Sequence, residues 1–333
     1  MADTGMKQSA GGSDLTEAFC SPVSRPPSPW QKTFDVSFKY VAHTFGAGVV
    51  LLLGAVVFEV LRHAKTAIAD YGFGFFTTST WDANRAHFGI LPEILGTLYT
   101  SILALGIGGF LGITVAIVLS QGFLPRRVEL VMKNVIELLA AIPSVVYGLW
   151  GIFVLVPLVR GPAGWLHEHL GSIPFFSTRL SGPGILPASL VLSIMILPTV
   201  TAISREAMAA VPKRLAAAAY GLGATRWEVI FNVTLPTAVG GIFGALVLGF
   251  GRALGETMAL AMLVGNANVF GWSLFSPGNT LAALLANHFP EANQVEVGAL
   301  MYAALVLMFI TLTVNALGSL IMMRTTRDLK GLG

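Results

Sequence analysis

Two charged residues stand inside otherwise apolar sequence, in the stretch Gly251-Arg252-Ala253-Leu254-Gly255-Glu256-Thr257-Met258-Ala259. Arg252 and Glu256 are four residues apart and so share one face of a helix. A charge within a hydrocarbon layer is expensive and faces either a partner or a watery cavity. A guanidinium stays protonated at any relevant pH and presents a planar fork of donors suited to an oxyanion. The pair either pins the helix as a mutual ion pair or lines a path for charged cargo. Thr257 adds a hydroxyl beside them or bonds its own backbone. Glu137 precedes Pro143 in a second apolar stretch, where packing or gate-lining suits it better than ligand contact. Pro143 and Pro198 interrupt helix hydrogen bonding and are bending points or static kinks. His167-Glu168-His169 makes no metal site, because residues two apart do not share a helical face, and no metal is expected on the chain. No Gly-x-x-x-x-Gly-Lys-Ser/Thr occurs, so the chain has no P-loop with which to bind ATP.

The elements that carry these residues follow from composition. Of 333 residues, 54% are hydrophobic and only 11% charged, with 37 glycines besides; mean hydropathy is +0.75. A soluble fold of this size has too much surface to leave without polar cover, so a soluble enzyme, a disordered regulator and a disulfide-rich chain are excluded. The chain reads as an all-α polytopic membrane protein. At about 20 apolar residues per crossing, six transmembrane helices are expected: 41–61, 93–120, 130–158 broken by Pro143, 185–204 kinked near Pro198, 237–264 and 297–323. The first 40 residues are polar and Ser/Pro-rich, a mostly disordered tail with no secretory signal. Cys20, the one cysteine, permits no intrachain disulfide.

Basic residues fix an orientation. Lys7, Arg25, Lys32, Lys39, Arg126, Arg127, Lys133, Arg205, Lys213, Arg214, Arg226, Arg324, Arg327 and Lys330 fall on one side, against Arg62, Lys65, Arg85, Arg160 and Arg179 on the other. The positive-inside bias then puts both termini in the cytoplasm. A net charge of +3 is too slight to indicate a nucleic-acid partner. Glycines four apart, Gly108/Gly112, Gly240/Gly244 and Gly251/Gly255, let helices pack closely. Trp81, Trp165 and Trp272 read as anchors at the membrane surface.

The loop 205–236, on the basic side, runs through Ala216-Ala217-Ala218-Ala219-Tyr220-Gly221-Leu222-Gly223-Ala224-Thr225-Arg226 to Leu235-Pro236. Alanine favours helix, the glycines end it and permit a left-handed turn, and Pro236 suits the first turn of the next helix. A short helix, a sharp corner and a second short helix result, shaped to sit in a groove of another protein.

The spacing of Ala217-Ala218-Ala219, Gly223, Val233, Leu235 and Pro236 resembles the EAA loop of ABC-importer permease subunits, with Ala217 in place of the usual glutamate. The stretches 137–148 and 251–259 are similar to the phosphate-specific transport permeases, and Gly-Glu-Thr-Met resembles the PstC-type subunit more than its PstA-type sister. The resemblance implies a MetI-like permease core plus one extra N-terminal helix. Its divisions are a cytoplasmic tail 1–40, a first helix and extracytoplasmic loop 41–92, a core 93–323 and a cytoplasmic tail 324–333. It further implies a heterodimer with a sister permease in the bacterial cytoplasmic membrane and an ATPase dimer that carries ATP and Mg. That dimer would dock on Ala217, Ala218, Ala219, Gly221, Gly223, Ala224, Thr225, Leu235 and Pro236. A periplasmic or lipid-anchored phosphate-binding protein completes the set, and this chain carries no cofactor. Arg252, Glu256 and Thr257 become the substrate pathway, with Glu256 accepting the acidic hydroxyl of phosphate and repelling sulfate, and Glu137, Pro143 and Pro198 become gate or hinge residues. Another oxyanion (phosphonate, sulfate or molybdate) or an ion-gradient-driven transporter is the alternative.

Overall fold

A computed structural model describes residues 29–330 of the chain. Cys20, the tail up to residue 28 and the last three residues lie outside the described residues. The chain divides into two units, Met1–Phe58 and Glu59–Gly333.

The first unit contains the start of helix α1, Pro29–Tyr71. Residues 29–40, expected in the disordered tail, are helical. Proline is pre-organised for a first helical turn, and Trp30, Phe34 and Phe38 recur every four residues as an exposed apolar stripe.

The second unit holds the remaining elements among the described residues. A short hairpin, β1 (Trp81–Asp82) and β2 (His87–Phe88), pairs antiparallel. The later helices are α2 (Leu91–Ser120), α3 (Arg126–Ala141), α4 (Ser144–Leu170), α5 (Ile185–Ala209), α6 (Lys213–Gly221), α7 (Arg226–Leu254), α8 (Met258–Leu263), α9 (Leu281–His288) and α10 (Gln294–Lys330). Six helices are long and apolar enough to cross a membrane: Lys32–Phe76, α2, α4, α5, α7 and Gln294–Met323. The fold is an all-helical, MetI-like permease core with one additional helix at its N-terminal end.

Three boundaries differ from the sequence reading. The region 130–158 is broken at Pro143 as expected, but its two helices run beyond those bounds, from Arg126 to Ala141 and from Ser144 to Leu170; Pro143 has no N–H to donate and holds extended backbone (ψ 142°), so α3 stops at Ala141. Helix α5 carries Pro198 in its interior, as expected, and continues past residue 204 to Ala209. The apolar run 237–264 is not one helix, since α7 ends at Leu254 and α8 resumes at Met258.

Helix α5 is the centre of the bundle, with 67% of its apolar window buried. Val191, Leu192, Met195 and Ile196 pack with Ala253, Leu260 and Leu263. Close approach of α2 to α5 depends on glycine: a Cβ on Gly108 would stand 2.6 Å from the Ser193 carbonyl oxygen. Between lipid-embedded helices there is no hydrophobic drive, so such close contacts supply the cohesion. Large apolar side chains such as Phe110, Phe153 and Phe309 point outward, as they must where the solvent is acyl chain.

At the hairpin end, Phe75, Phe88, Ile90, Leu281 and Leu300 form a second core. Residues 264–280 fold back there, with Ile185 N–H donating to Ser276 O (3.1 Å) and Leu274 N–H to Phe175 O (2.9 Å).

Candidate functional site

The interruption between α7 and α8 lies at mid-depth. A Cβ on Gly249 would touch Val200 Cγ2 at 2.9 Å, beside the middle of α5. Leu263 O accepts from Gly184 N–H at 2.8 Å, at the N-terminal end of α5. Residues 252–257 fall between these two levels. Non-helical backbone at such depth is tolerated only where it is buried in protein or lines a water-filled cavity.

The break separates the two charges expected on one helical face. Arg252 sits in the last turn of α7, Gly255 is its C-cap, and Glu256 belongs to the linker. Here the backbone, rather than the hydropathy, ended the helix. Arg252 is exposed and Glu256 half-buried, and no ion pair joins them. The Glu256 carboxylate instead accepts from Ala259 N–H at 3.4 Å, at the start of α8. Thr257 Oγ1 donates to Gly255 O at 3.2 Å, an attachment to its own backbone. Arg252 therefore has neither hydrogen bond nor ion pair among the described residues, although it lies within electrostatic reach of the Tyr147 hydroxyl.

The second interruption, at Ile142–Pro143, is its neighbour. Helix α4 packs its first turns on α8: a Cβ on Gly148 would stand 2.7 Å from Met262 Sδ, and one on Gly151 would stand 2.5 Å from Leu263 Cδ1. Buried Tyr147 donates to Leu139 O at 2.8 Å, clasping the two sides of the Pro143 corner. Glu137 is on α3, one turn before that corner, and lines a narrow cleft with Lys133, Thr201 and Arg205. Glu129, also on α3, is held below the usual carboxylate range by the hydrogen bond from Lys133, which outweighs the opposing effect of desolvation. Pro198 is buried within α5, away from both breaks in sequence.

The alanine–glycine elbow takes the expected form at its first half. Helix α6 presents exposed Ala217 and Ala218, with Ala219 half-buried and Gly221 as its last residue. Gly223 holds φ +87°, a conformation open to glycine. Gly223 N–H and Ala224 N–H return to Tyr220 O and Ala219 O at 3.0 and 3.1 Å. Tyr220 and Leu222 project outward, Leu222 at 91% exposure.

The second half differs from expectation. The second short helix is no separate piece but the beginning of α7, and Leu235 and Pro236 lie within that helix. A π-helical turn, Ile230–Thr234, stands directly before them. Its wider hydrogen-bond spacing accommodates a proline that has no N–H to give.

Two features of the elbow escaped the sequence reading. Thr225 caps α7 through a full capping box with Glu228, a Thr-x-x-Glu pattern that was available in the sequence. Arg226 donates to Gln121 O (2.6 Å) and Gly122 O (2.8 Å), the carbonyls that end α2. Its guanidinium lies 4.4 Å from the centre of the Phe123 ring, and Trp227 packs on the same ring. This clasp joins residues 105 apart, for which no local signal exists.

A broken spanning helix with an unpaired guanidinium, joined by a continuous helix to an exposed elbow, defines a membrane transport permease. The chain belongs to the family of binding-protein-dependent transport system inner membrane components, which matches residues 108–328. Within that family it is similar to phosphate transport system permease proteins PstC. That of Pasteurella multocida is 39% identical over 87% of this chain and 92% of its own length. That of Xylella fastidiosa is 37% identical over 88% and 92%. Among solved structures, a bacterial alginate ABC transporter shares the fold (TM-score 0.59, 16% identity, 85% of this chain and 94% of that one). The MetNI methionine ABC transporter does so with TM-score 0.52 at 16% identity, over 71% and 95%.

Proposed function

We infer that this chain is the PstC-type permease subunit of an ATP-driven importer of inorganic phosphate. It is a multi-pass inner-membrane protein that forms one half of the translocation path. The observation that carries the reading is Arg252: a guanidinium at mid-depth, exposed and without an ion pair, cannot face acyl chains. A second membrane subunit, the sister permease, covers that face, and phosphate passes Arg252 between the two. Glu256 and Thr257 line the same opening. The capping bond from Ala259 keeps the Glu256 carboxylate at the break, where it accepts the acidic hydroxyl of phosphate and repels fully ionised sulfate.

Helix α6 is the part a motor holds. Its exposed alanines, Tyr220 and Leu222 suit a groove on an ATPase subunit, and ATP and Mg belong to that partner. The elbow then faces the cytoplasm, as do both termini, and a phosphate-binding protein delivers cargo on the opposite side. Closure of the ATPase dimer draws the elbows together, and the resulting change of packing opens the path outward. The corner at Pro143, with Glu137 beside it, and the helix at Pro198 bend or gate during that change. No covalent chemistry takes place on this chain.

Reconstitution tests the reading. The complex purified through this chain should contain a P-loop ATPase and a second permease and should accumulate phosphate only with ATP. Arg252→Gln should lower phosphate uptake at least tenfold while leaving the complex assembled. Uptake by the isolated chain, or full uptake by the variant, rejects the assignment.

A further inference from the structure

A second cluster of guanidinium groups lies beside the segment that leads into α5, far along the chain from Arg252. Arg160, Gly161, Gly164, Trp165, Glu168 and Arg179 line a cleft of about 520 Å³. Arg160 and Arg179 are two of only five basic residues on that side of the sequence's charge division, and both meet in this one cleft. Arg160 Nη2 donates to Ser181 O at 2.6 Å, four residues before α5 begins, which sets the guanidinium at the end of the bundle where α5 starts. That bond uses one of its five donors and leaves the rest for a ligand. Arg179 meets Glu168 at 3.3 Å, both largely exposed, and an ion pair so solvated is easily exchanged for a better anion. Nothing lies within 4 Å of a Cβ built on Gly161 or Gly164, so the floor of the cleft is open. Beside these charges the surface is apolar: Leu158 is 69% exposed and Trp165 58%, as for groups that meet acyl chain and headgroup together.

We propose that this cleft binds a phosphate-bearing anion, either the headgroup of an anionic phospholipid or free inorganic phosphate. Two guanidinium planes suit the oxygens of a phosphate group, and the adjoining apolar face receives acyl chains when the phosphate is that of a lipid. The inference stands apart from the transport reading, since occupancy of this cleft needs neither ATP nor a working path.

The test uses the full-length protein, extracted from membranes in mild detergent with the subunits that accompany it. Native mass spectrometry follows retention of added phosphatidylglycerol against phosphatidylcholine with the same chains; a parallel arm measures radiolabelled inorganic phosphate at low ionic strength. Wild type should retain one of the two anions roughly tenfold better than phosphatidylcholine, as expected when two basic residues act at a lipid surface. The double variant Arg160→Gln/Arg179→Gln should abolish that preference, and Gly164→Leu, which keeps both charges and the helix but fills the floor, should weaken it. Arg85→Gln, which removes an exposed guanidinium elsewhere, should leave it unchanged. A preference for phosphatidylglycerol that the double variant loses identifies a lipid source, and a retention of phosphate that the double variant loses identifies a free one. Equal retention of both anions by wild type and the double variant overturns the proposal.

Discussion

Arg226→Ala removes the clasp between the elbow and the end of α2 and leaves the elbow's own capping box in place. The lost contacts are two hydrogen bonds from a charged donor, at 2.6 and 2.8 Å, and the contact over Phe123 at 4.4 Å. Bonds from a charged group are worth about 1.5–3 kcal/mol each when sheltered, but this site is exposed, so about 0.5–1 kcal/mol each is the fair allowance. The cation–π contact adds about 0.5 kcal/mol. The total, near 2 kcal/mol, shifts the balance between clasped and unclasped elbow by about 30-fold. In proteoliposomes holding the whole importer, phosphate taken up per ATP hydrolysed should fall several-fold, because a motor pulling α6 then moves α7 without carrying α2. Hydrolysis itself should persist. Arg226→Lys, which keeps the charge but not the planar fork, should fall between the two. An unchanged ratio of transport to hydrolysis in Arg226→Ala, with normal amounts of assembled complex, refutes the coupling of α2 through this residue.

Other outcomes rest on the same geometry. Glu256→Gln should admit sulfate relative to phosphate, measured as competitive uptake; unchanged exclusion of sulfate removes the carboxylate from selectivity. Gly96→Ala would place a Cβ 2.0 Å from the Asn279 carbonyl oxygen, whereas Gly106 has open space. The first should cost about 1–3 kcal/mol of overpacking, seen as a lower melting temperature in detergent, and Gly106→Ala should not. Because the Glu129 carboxyl is depressed by its bond from Lys133, its contribution is present above the ordinary carboxylate range and is lost as pH falls through the lower folded value. Amide protection over 126–133, the exchange rate taken relative to its intrinsic rate at each pH, should therefore be flat from about pH 5 to 8 and fall below about pH 4, and Glu129→Gln should flatten that acid-side fall.

How much of this was readable varies with the range of the signal. The crossings were legible because twenty apolar residues in a row have few alternatives, and the α6 corner because an alanine run followed by Gly223 specifies helix and then positive φ. The end of α7 at Leu254 was obscured by a hydropathy run that continues to Val264, although Gly255 with Arg252 in the preceding turn is a helix-stop pattern. The start of α1 at Pro29 was hidden by the polar composition around Trp30, Phe34 and Phe38, which only their spacing betrays. Pro236 reads as a helix beginning, and the π-turn that lets it sit inside one has no sequence mark. Arg226 finds its partners across the bundle, so only three dimensions reveal them.

Helix α7 spans 29 residues without a break from Arg226 to Leu254, a rod of roughly 43 Å at 1.5 Å per residue. A rod of that length is a geometric amplifier: tilting it by about 5° about its elbow end carries the other end sideways by about 4 Å. On the proposed role of Arg252 in the cargo path, where a guanidinium holds an oxyanion only within hydrogen-bond distance, even a tilt this small is enough to grasp the anion or release it. Large rearrangements near Arg252 are then unnecessary, and cargo affinity can switch while the helices around it keep most of their contacts.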